Sequence, residues 1–352
     1  LARATIKDIA LAANVSPMTV SNVLNGRRAK ASDDTVERIM SAVKTLGYRP
    51  NMSARSLVSN ASRMVGVVIP FTETQNQLLL DNPFYAEMIS GIESALRRNG
   101  YYMMLSGTGE GHAQLDTLQH WNMDGLIVLG VYREGLYEQL RELDLPTLLI
   151  DSYIDDAHFH HLRLDDEAAA HAATCHLIER GHSGIALVTG VIRSSGVIER
   201  RVAGYRRALA EAGIAYDPTR VLSGSVTFDW GAEAADALAR LPGVTAAFCT
   251  ADLVAAGLLA GLHRLGKRIP EDYSVMGFDN LPVSRMVYPA LTTVDQAILD
   301  KGKLAGDLIT RLLRKEAAPR ETTTGIRIIE RDSVSDPGTD SALGSVSARR
   351  PR

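Results

Sequence analysis

Apolar residues recur at helical spacing through the start of the chain. Ile6, Ile9, Ala10 and Ala13 form one stripe and Val15, Val20, Val23 and Leu24 a second, which predicts two short amphipathic helices packed on each other. Ser16 is a good N-cap for the second helix, and Pro17 suits its first position, where a missing N–H costs nothing. The open face of that helix carries Met18, Thr19, Ser21, Asn22 and Asn25. A third stripe, Val36, Ile39, Met40, Val43 and Leu46, predicts a helix over Ser32–Leu46, capped by Ser32, favoured by Asp33 and Asp34 at its positive end and stopped by Gly47. A short helix, a three-residue turn and a capped second helix describe a helix-turn-helix, which lays its second helix in the major groove of a duplex. The same spacing also describes an ordinary helical hairpin, and taken alone it leaves both open.

Pro50 ends this region. The next segment, Asn51–Val58, offers too few turns to be a stable helix alone, so it orders only against a partner surface. From Arg63 the pattern changes to short apolar runs separated by helical stretches, as expected of parallel strands buried on both faces. Strands are predicted at Met64–Pro70, Tyr101–Ser106, Gly125–Gly130 and Thr147–Asp151, with helices at Pro83–Asn99, near Ala113–Trp121 and near Leu136–Glu142. A second series follows: helix Ala168–Arg180, strand Gly184–Thr189, helix Arg200–Glu211, strand Thr245–Cys249, helix Leu253–Leu265 and strand Tyr273–Gly277. Two βα sets of similar size predict two Rossmann-like lobes with a cleft between them, so the fold class is α plus α/β. The Ser-, Gly-, Pro- and Arg-rich end reads as a disordered tail over 333–352.

Charge sharpens this division. Residues 1–63 carry 10 basic and 4 acidic side chains, a net of +6, while the remainder holds 28 basic and 37 acidic groups, a net of −9. A basic head on an acidic body suits a head that docks on nucleic acid. Cys175 and Cys249 have no CxxC or metal-type spacing and read as buried thiols in a reducing compartment. No apolar leader precedes the first helix, and no run reaches the roughly 18 apolar residues of a membrane span, so a cytoplasmic protein with no membrane partner is expected.

Catalytic and metal chemistry find little support. Gly107, Gly109 and Gly111 follow a strand, but His112 stands where a dinucleotide loop would continue and the third glycine is missing. His158, His160 and His161 read as a solvated loop beside acidic residues rather than a metal cluster. With no GxSxG elbow and no P-loop, neither an enzyme nor a cofactor is expected.

The motifs TIKDIALAANVSPMTVSNVLNG, LGYRPNMSARSL, NPFYAEMISGIE, MDGLIVLG, LIERGHSGIALVTG, RRVAGYRRAL, FCTADLVAAGLLAGLHRLGKRIPEDYSVMGFDN and YPALTTVDQ occur together, in this order, along nearly the whole chain. In that combination the chain closely resembles the lac repressor/gal repressor (LacI/GalR) family of bacterial transcription regulators. The resemblance implies a homodimer that reads a near-palindromic operator. Its parts would be a helix-turn-helix domain at 1–50, a hinge helix and linker at 51–62, and a two-lobed effector-binding core of the periplasmic-binding-protein type. The N-terminal lobe would take 63–163 plus 294–322, and the C-terminal lobe 164–293 plus 323–332. A sugar or sugar derivative between the lobes, and repression of carbohydrate-utilisation genes, are the leading implication. A purine-type corepressor is the alternative, and a solute-binding protein with a vestigial head is more distant.

Family motifs also imply roles for single residues. Pro17, Met18 and Asn22 take the base-reading positions, Asn22 suited to an adenine edge and Met18 and Pro17 to a thymine methyl. Thr5, Ser16, Thr19, Ser21 and Asn25 fall at phosphate contacts and caps. Many relatives carry Arg where this chain has Asn22, so its operator letters are its own. Asn51, Ala54, Arg55 and Leu57 match the hinge, where Leu57 would wedge into a minor-groove step; without the family it reads as a core leucine.

In the core, Asp151, Arg201 and Asp279 match effector-contacting positions, and Asp252 and Gln296 join them. Carboxylates on both walls with one guanidinium suit a polyhydroxylated ligand, although each acid also reads as a cap or a surface pair. Phe71, Phe84 and Phe228 are candidate stacking faces or core residues. Ala251 stands where many sugar-responsive relatives carry Asn, which removes an amide from the cleft.

Overall fold

Each helix of the head begins where a side-chain oxygen can satisfy its first amides. α1 (Ile6–Ala13) opens with a capping box: Thr5 Oγ1 accepts from the Asp8 amide at 3.3 Å and Asp8 Oδ2 accepts from the Thr5 amide at 2.8 Å. α2 (Pro17–Leu24) is capped by Ser16, whose hydroxyl accepts from the Thr19 amide at 3.1 Å. α3 (Asp33–Thr45) is capped by Ser32, which accepts from the Thr35 amide at 3.3 Å. Ile9, Ala10, Ala13, Val20, Val23, Ile39 and Ala42 close one small core, with Ile6, Val15, Leu24, Val36 and Val43 packed against it. Met40, expected in the same stripe, is exposed because it lies about 100° around the helix from Ile39.

The computed structural model describes residues 4–24, 26, 31–48, 61–70, 78–108, 123–131, 136–154 and 156–337, and the chain divides into two units, 1–62 and 63–352. Asn25, Asn51, Ala54, Arg55, Leu57, Phe71 and the helix expected near Ala113–Trp121 lie outside the described residues.

In the second unit, the first lobe runs β1 (Met64–Pro70), α4 (Pro83–Arg98), β2 (Tyr102–Thr108), β3 (Gly125–Leu129), α5 (Leu136–Glu142), β4 (Thr147–Ile150) and β5 (His160–Leu164). The second runs α6 (Asp166–Glu179), β6 (Ile185–Gly190), α7 (Val197–Glu211), β7 (Val221–Gly224), α8 (Phe228–Leu238), β8 (Ala246–Cys249), α9 (Asp252–Arg264), β9 (Ser274–Asp279), the single turn α10 (Val283–Met286) and β10 (Thr292–Asp295). The chain then returns: α11 (Ile298–Leu313) packs on α4, β11 (Glu321–Thr324) joins the first sheet, and β12 (Arg327–Ile329) joins the second. Among the described residues each sheet has six strands, in the orders β11-β5-β4-β3-β1-β2 and β12-β10-β9-β8-β6-β7. Pairing is parallel except between β10 and β12.

Helices cover both sheets at close range. A Cβ on Gly302 would fall 2.4 Å from the Met88 carbonyl oxygen, and one on Gly204 would fall 2.1 Å from that of Glu167, so α11 meets α4 and α7 meets α6 backbone to backbone. β3, β4, β6, β8 and β9 are buried along their whole length, which explains their near-continuous apolar runs.

Three expectations need correction. His160 and His161 are not in a solvated loop: they begin β5, where His161 is buried with a ring nitrogen 3.2 Å from the Asp156 carbonyl oxygen. A polar strand is invisible to an apolar-run criterion. The tail does not start at 333, because Ser333 and Val334 are buried and the Ser333 hydroxyl both donates to the Val275 carbonyl at 2.6 Å and accepts from the Thr292 amide at 2.8 Å. Cys249 is buried but Cys175 is only half-buried.

Candidate functional site

On the head, the exposed groups of α2 are those at its first turn. Pro17 and Met18 are exposed, Met18 to 69%, whereas Thr19, Ser21 and Asn22 are half-buried. Thr5 and Ser16 are engaged as caps through their hydroxyls and remain at the surface. The exposed edge of α2 is therefore apolar, Pro17 and Met18, with the polar Thr19, Ser21 and Asn22 half-buried beside it.

Between the lobes lies a cleft of about 1010 Å³, partly open to solvent. Its walls are residues at or just past strand ends: Pro70 of β1, Gly130 after β3, Asp151 after β4, Gly190 of β6, Thr250 and Ala251 after β8, and Asp279 of β9. Open α/β sheets present ligand sites at this edge, where strands stop and helices begin. Asp151, Arg193, Arg201 and Asp279 are the charged side chains among the described lining residues.

None of the three expected cleft charges stands alone. Asp151 follows β4 at φ +51°, and its Oδ1 accepts from Lys301 Nζ at 2.5 Å. Lys301 reaches it from the first turn of α11 with a side chain wholly removed from solvent. Arg201, on α7, donates through Nε to Asp166 Oδ1 at 2.7 Å and through Nη1 to the Thr250 carbonyl at 2.6 Å, and its guanidinium carbon lies 3.7 Å from the centre of the Phe278 ring. Asp279 accepts from Gln296 Nε2 at 2.6 Å. Burial pushes the Asp279 carboxyl up to about 7, against the pull of the Arg201 charge. Burial likewise raises the Asp166 carboxyl, and Arg201 opposes it.

One hydroxyl joins the walls. Tyr153, between β4 and β5, places its Oη 2.5 Å from Asp166 Oδ2 and 2.6 Å from the Leu164 carbonyl oxygen, and accepts from the Asp166 amide at 3.2 Å. A single phenolic proton serves one of the two acceptors at a time. Burial, then the Asp166 charge, raises the Tyr153 phenol well above its ordinary range. The ring also carries Arg163 and Arg200 at 5.8 and 5.2 Å from its centre, one from each lobe.

Thus the structure brings Asp151, Arg201, Asp279 and Phe84 to the cleft, Phe84 meeting Tyr85 edge-on at 5.4 Å. Gln296 stands behind Asp279 rather than in the lining. Asp252 does not line the cleft: fully buried at the start of α9, it accepts from the Thr293 hydroxyl at 2.6 Å and the Leu281 amide at 2.8 Å, tying β10 to the turn after β9. Phe228 is also outside, exposed at the start of α8; Val226 lines the wall instead.

Sequence reasoning missed Lys301, Asp166, Tyr153 and Tyr85. Lys301 had a signal, since it interrupts the buried stripe Ile298, Ala305, Leu308 and Ile309 of α11. Asp166 had none, because next to the cap Asp165 it reads as a second first-turn acid. Among the described residues no group of His, Cys, Asp and Glu could hold a metal ion, and no helix is long and apolar enough to cross a membrane.

Geometry alone defines a helix-turn-helix head followed by a two-lobed ligand-binding core. Residues 5–51 match the model of bacterial regulatory proteins of the lacI family, and residues 174–334 match the periplasmic binding protein-like domain. The chain is 36% identical over 342 residues to the HTH-type transcriptional repressor PurR of Vibrio atlanticus, covering 94% of this chain and 98% of that protein. It is similar to the transcriptional regulator CelR–cellobiose complex, with 30% identity, a TM-score of 0.70, and coverage of 94% of this chain and 100% of the other. It shares the fold of the lac repressor dimer bound to operator and the anti-inducer ONPF, with a TM-score of 0.81 at 23% identity over 95% of this chain and 100% of that one. The chain belongs to the lacI family of bacterial regulatory proteins. It is a ligand-responsive transcriptional repressor with a DNA-binding helix-turn-helix head and an effector-binding core.

Proposed function

We propose that this repressor controls carbohydrate-utilisation genes, acting in the cytoplasm as a homodimer on a near-palindromic operator, with a neutral sugar or sugar derivative bound between the lobes. The observation that carries this reading is the cleft at the strand ends, where Asp151 and Asp279 face Arg201. A carboxylate accepts a hydrogen bond from a hydroxyl and a guanidinium donates one to a hydroxyl oxygen, so adjacent hydroxyls can be held from both walls. Similarity to the CelR–cellobiose complex supports the choice of a sugar.

At the operator, Pro17, Met18 and Asn22 read base edges; Thr5, Ser16, Thr19, Ser21 and Asn25 hold phosphates or cap the helices. Asn51, Ala54, Arg55 and Leu57 match the family's minor-groove contacts, Leu57 wedging the central step. The effector changes the angle between the two lobes, and with it operator binding through the 51–62 segment. Such a two-state coupling is worth about 1–3 kcal/mol.

A second reading, a purine-type corepressor, is favoured by the 36% identity to PurR and by the adjacent aromatic faces of Phe84 and Tyr85. A thermal-shift screen with D-ribose, D-glucose, cellobiose, hypoxanthine and guanine separates the two, because a bound compound raises stability by mass action. Operator selected from a random duplex library then reports, by fluorescence titration, whether the stabilising compound weakens or strengthens binding. Stabilisation by a purine alone overturns the carbohydrate reading, and equal affinity for all duplexes overturns sequence-specific repression.

A further inference from the structure

Behind the charges that face the cleft stand two that do not line it. Lys301 pairs with Asp151 on the first wall, and Asp166 pairs with Arg201 on the second. Both backing side chains are shielded from solvent, Lys301 completely and Asp166 to within 1%. The facing partners are 12% and 8% exposed, so each wall presents one end of an ion pair whose other end is hidden.

We propose that Lys301 and Asp166 are specificity-determining residues of the cleft, which by neutralising Asp151 and Arg201 make it select an uncharged polyhydroxylated effector over its anionic counterpart. This rests on the reading of the cleft as the effector site. An anionic group entering it would lose hydration and find the guanidinium of Arg201 already matched at 2.7 Å by Asp166. A hydroxyl loses much less and can both donate to the carboxylate of Asp151 and accept from Arg201. The remaining titratable lining groups are Arg193 and Asp279, and Asp279 already accepts from Gln296.

Opposite changes of charge behind the two walls test the idea. Binding of two matched sets, D-glucose with D-glucuronate and D-ribose with D-ribose 5-phosphate, is measured by calorimetry on the full chain and on the variants Lys301→Met and Asp166→Asn. In the wild type the uncharged member of a set binds at least tenfold more tightly. Lys301→Met leaves Asp151 uncompensated and widens that ratio at least tenfold; Asp166→Asn, which keeps a hydrogen-bond acceptor for Arg201, narrows it by a similar factor. The double variant restores the overall charge and returns the ratio towards that of the wild type. A merely structural role would weaken both members of a set alike, so single variants that leave the ratio unchanged, or move it in the same direction, overturn the proposal. Tighter wild-type binding of an anionic member overturns it too, while leaving the cleft as the effector site. Binding of no member, with cellobiose failing too, overturns the carbohydrate reading itself. The unliganded melting temperature establishes folding, and if one single variant fails to fold, the other and the double variant decide.

Discussion

The head and the cleft solve the same problem, holding polar groups in place for recognition, by opposite means. In the head the polar groups that matter are local. Thr5, Ser16 and Ser32 each bond an amide three residues on, and Pro17 and Met18 at the start of α2 are simply left in solvent. In the cleft, the polar groups are buried and held by partners from distant parts of the chain: Asp151 by Lys301, Arg201 by Asp166, Asp279 by Gln296. Exposed caps contribute modest, separable energies, whereas a buried charge without its partner is strongly unfavourable. The head therefore tolerates change one residue at a time, and the cleft does not.

Four substitutions would break or sharpen that contrast. Asp166→Ala leaves the Arg201 guanidinium buried without its counter-charge and is expected to cost about 3–5 kcal/mol in urea denaturation of the core; a loss below 1 kcal/mol would mean the pair contributes no more than an exposed one. Asp279 gives a pH signature. Its carboxyl is raised to about 7 in the folded chain from an ordinary 3.8, so between those values the folded state holds the proton more tightly than the unfolded state. Stability from this group is full at low pH and falls as pH rises through that window, by up to about 1.4 kcal/mol per pH unit. Asp279→Asn should flatten that decline, and an unchanged slope in denaturation series from pH 5 to 7 would show that other groups set it. In the head, Ser16→Ala removes one cap and should lower the stability of the helix-turn-helix by about 1 kcal/mol, followed by circular dichroism melting. Met18→Ala should change stability by less than about 0.5 kcal/mol. It should nevertheless alter the duplexes recovered in operator selection; an unaltered selection would remove Met18 from the reading edge.

How far each region was legible follows from the same difference. α1, α2 and α3 were visible with their caps because every signal lies within four residues of its partner. The buried strands β1, β3, β4, β6, β8 and β9 were visible as apolar runs. β5, β7, β11 and β12 were not: their runs HHLRL, VLSG, ETTT and RII lack the length or the apolar content to stand out. Phe228 lies outside the cleft lining because periodicity does not show which side of the first turn of α8 faces the opening.

Periodicity, capping and charge asymmetry by themselves determined a basic helical head ahead of two βα lobes, and the family motifs made that head a helix-turn-helix and located Asp151, Arg201 and Asp279 as the charged groups worth watching. Only the tertiary structure decided that each is paired, that Asp252 serves as a tie beneath the cleft, and that Lys301 and Asp166 stand behind its walls. Those partners lie 150, 35 and 17 residues away from the groups they hold. Local spacing carries no information about which distant side chain will be brought within hydrogen-bond reach once sheets and helices have packed.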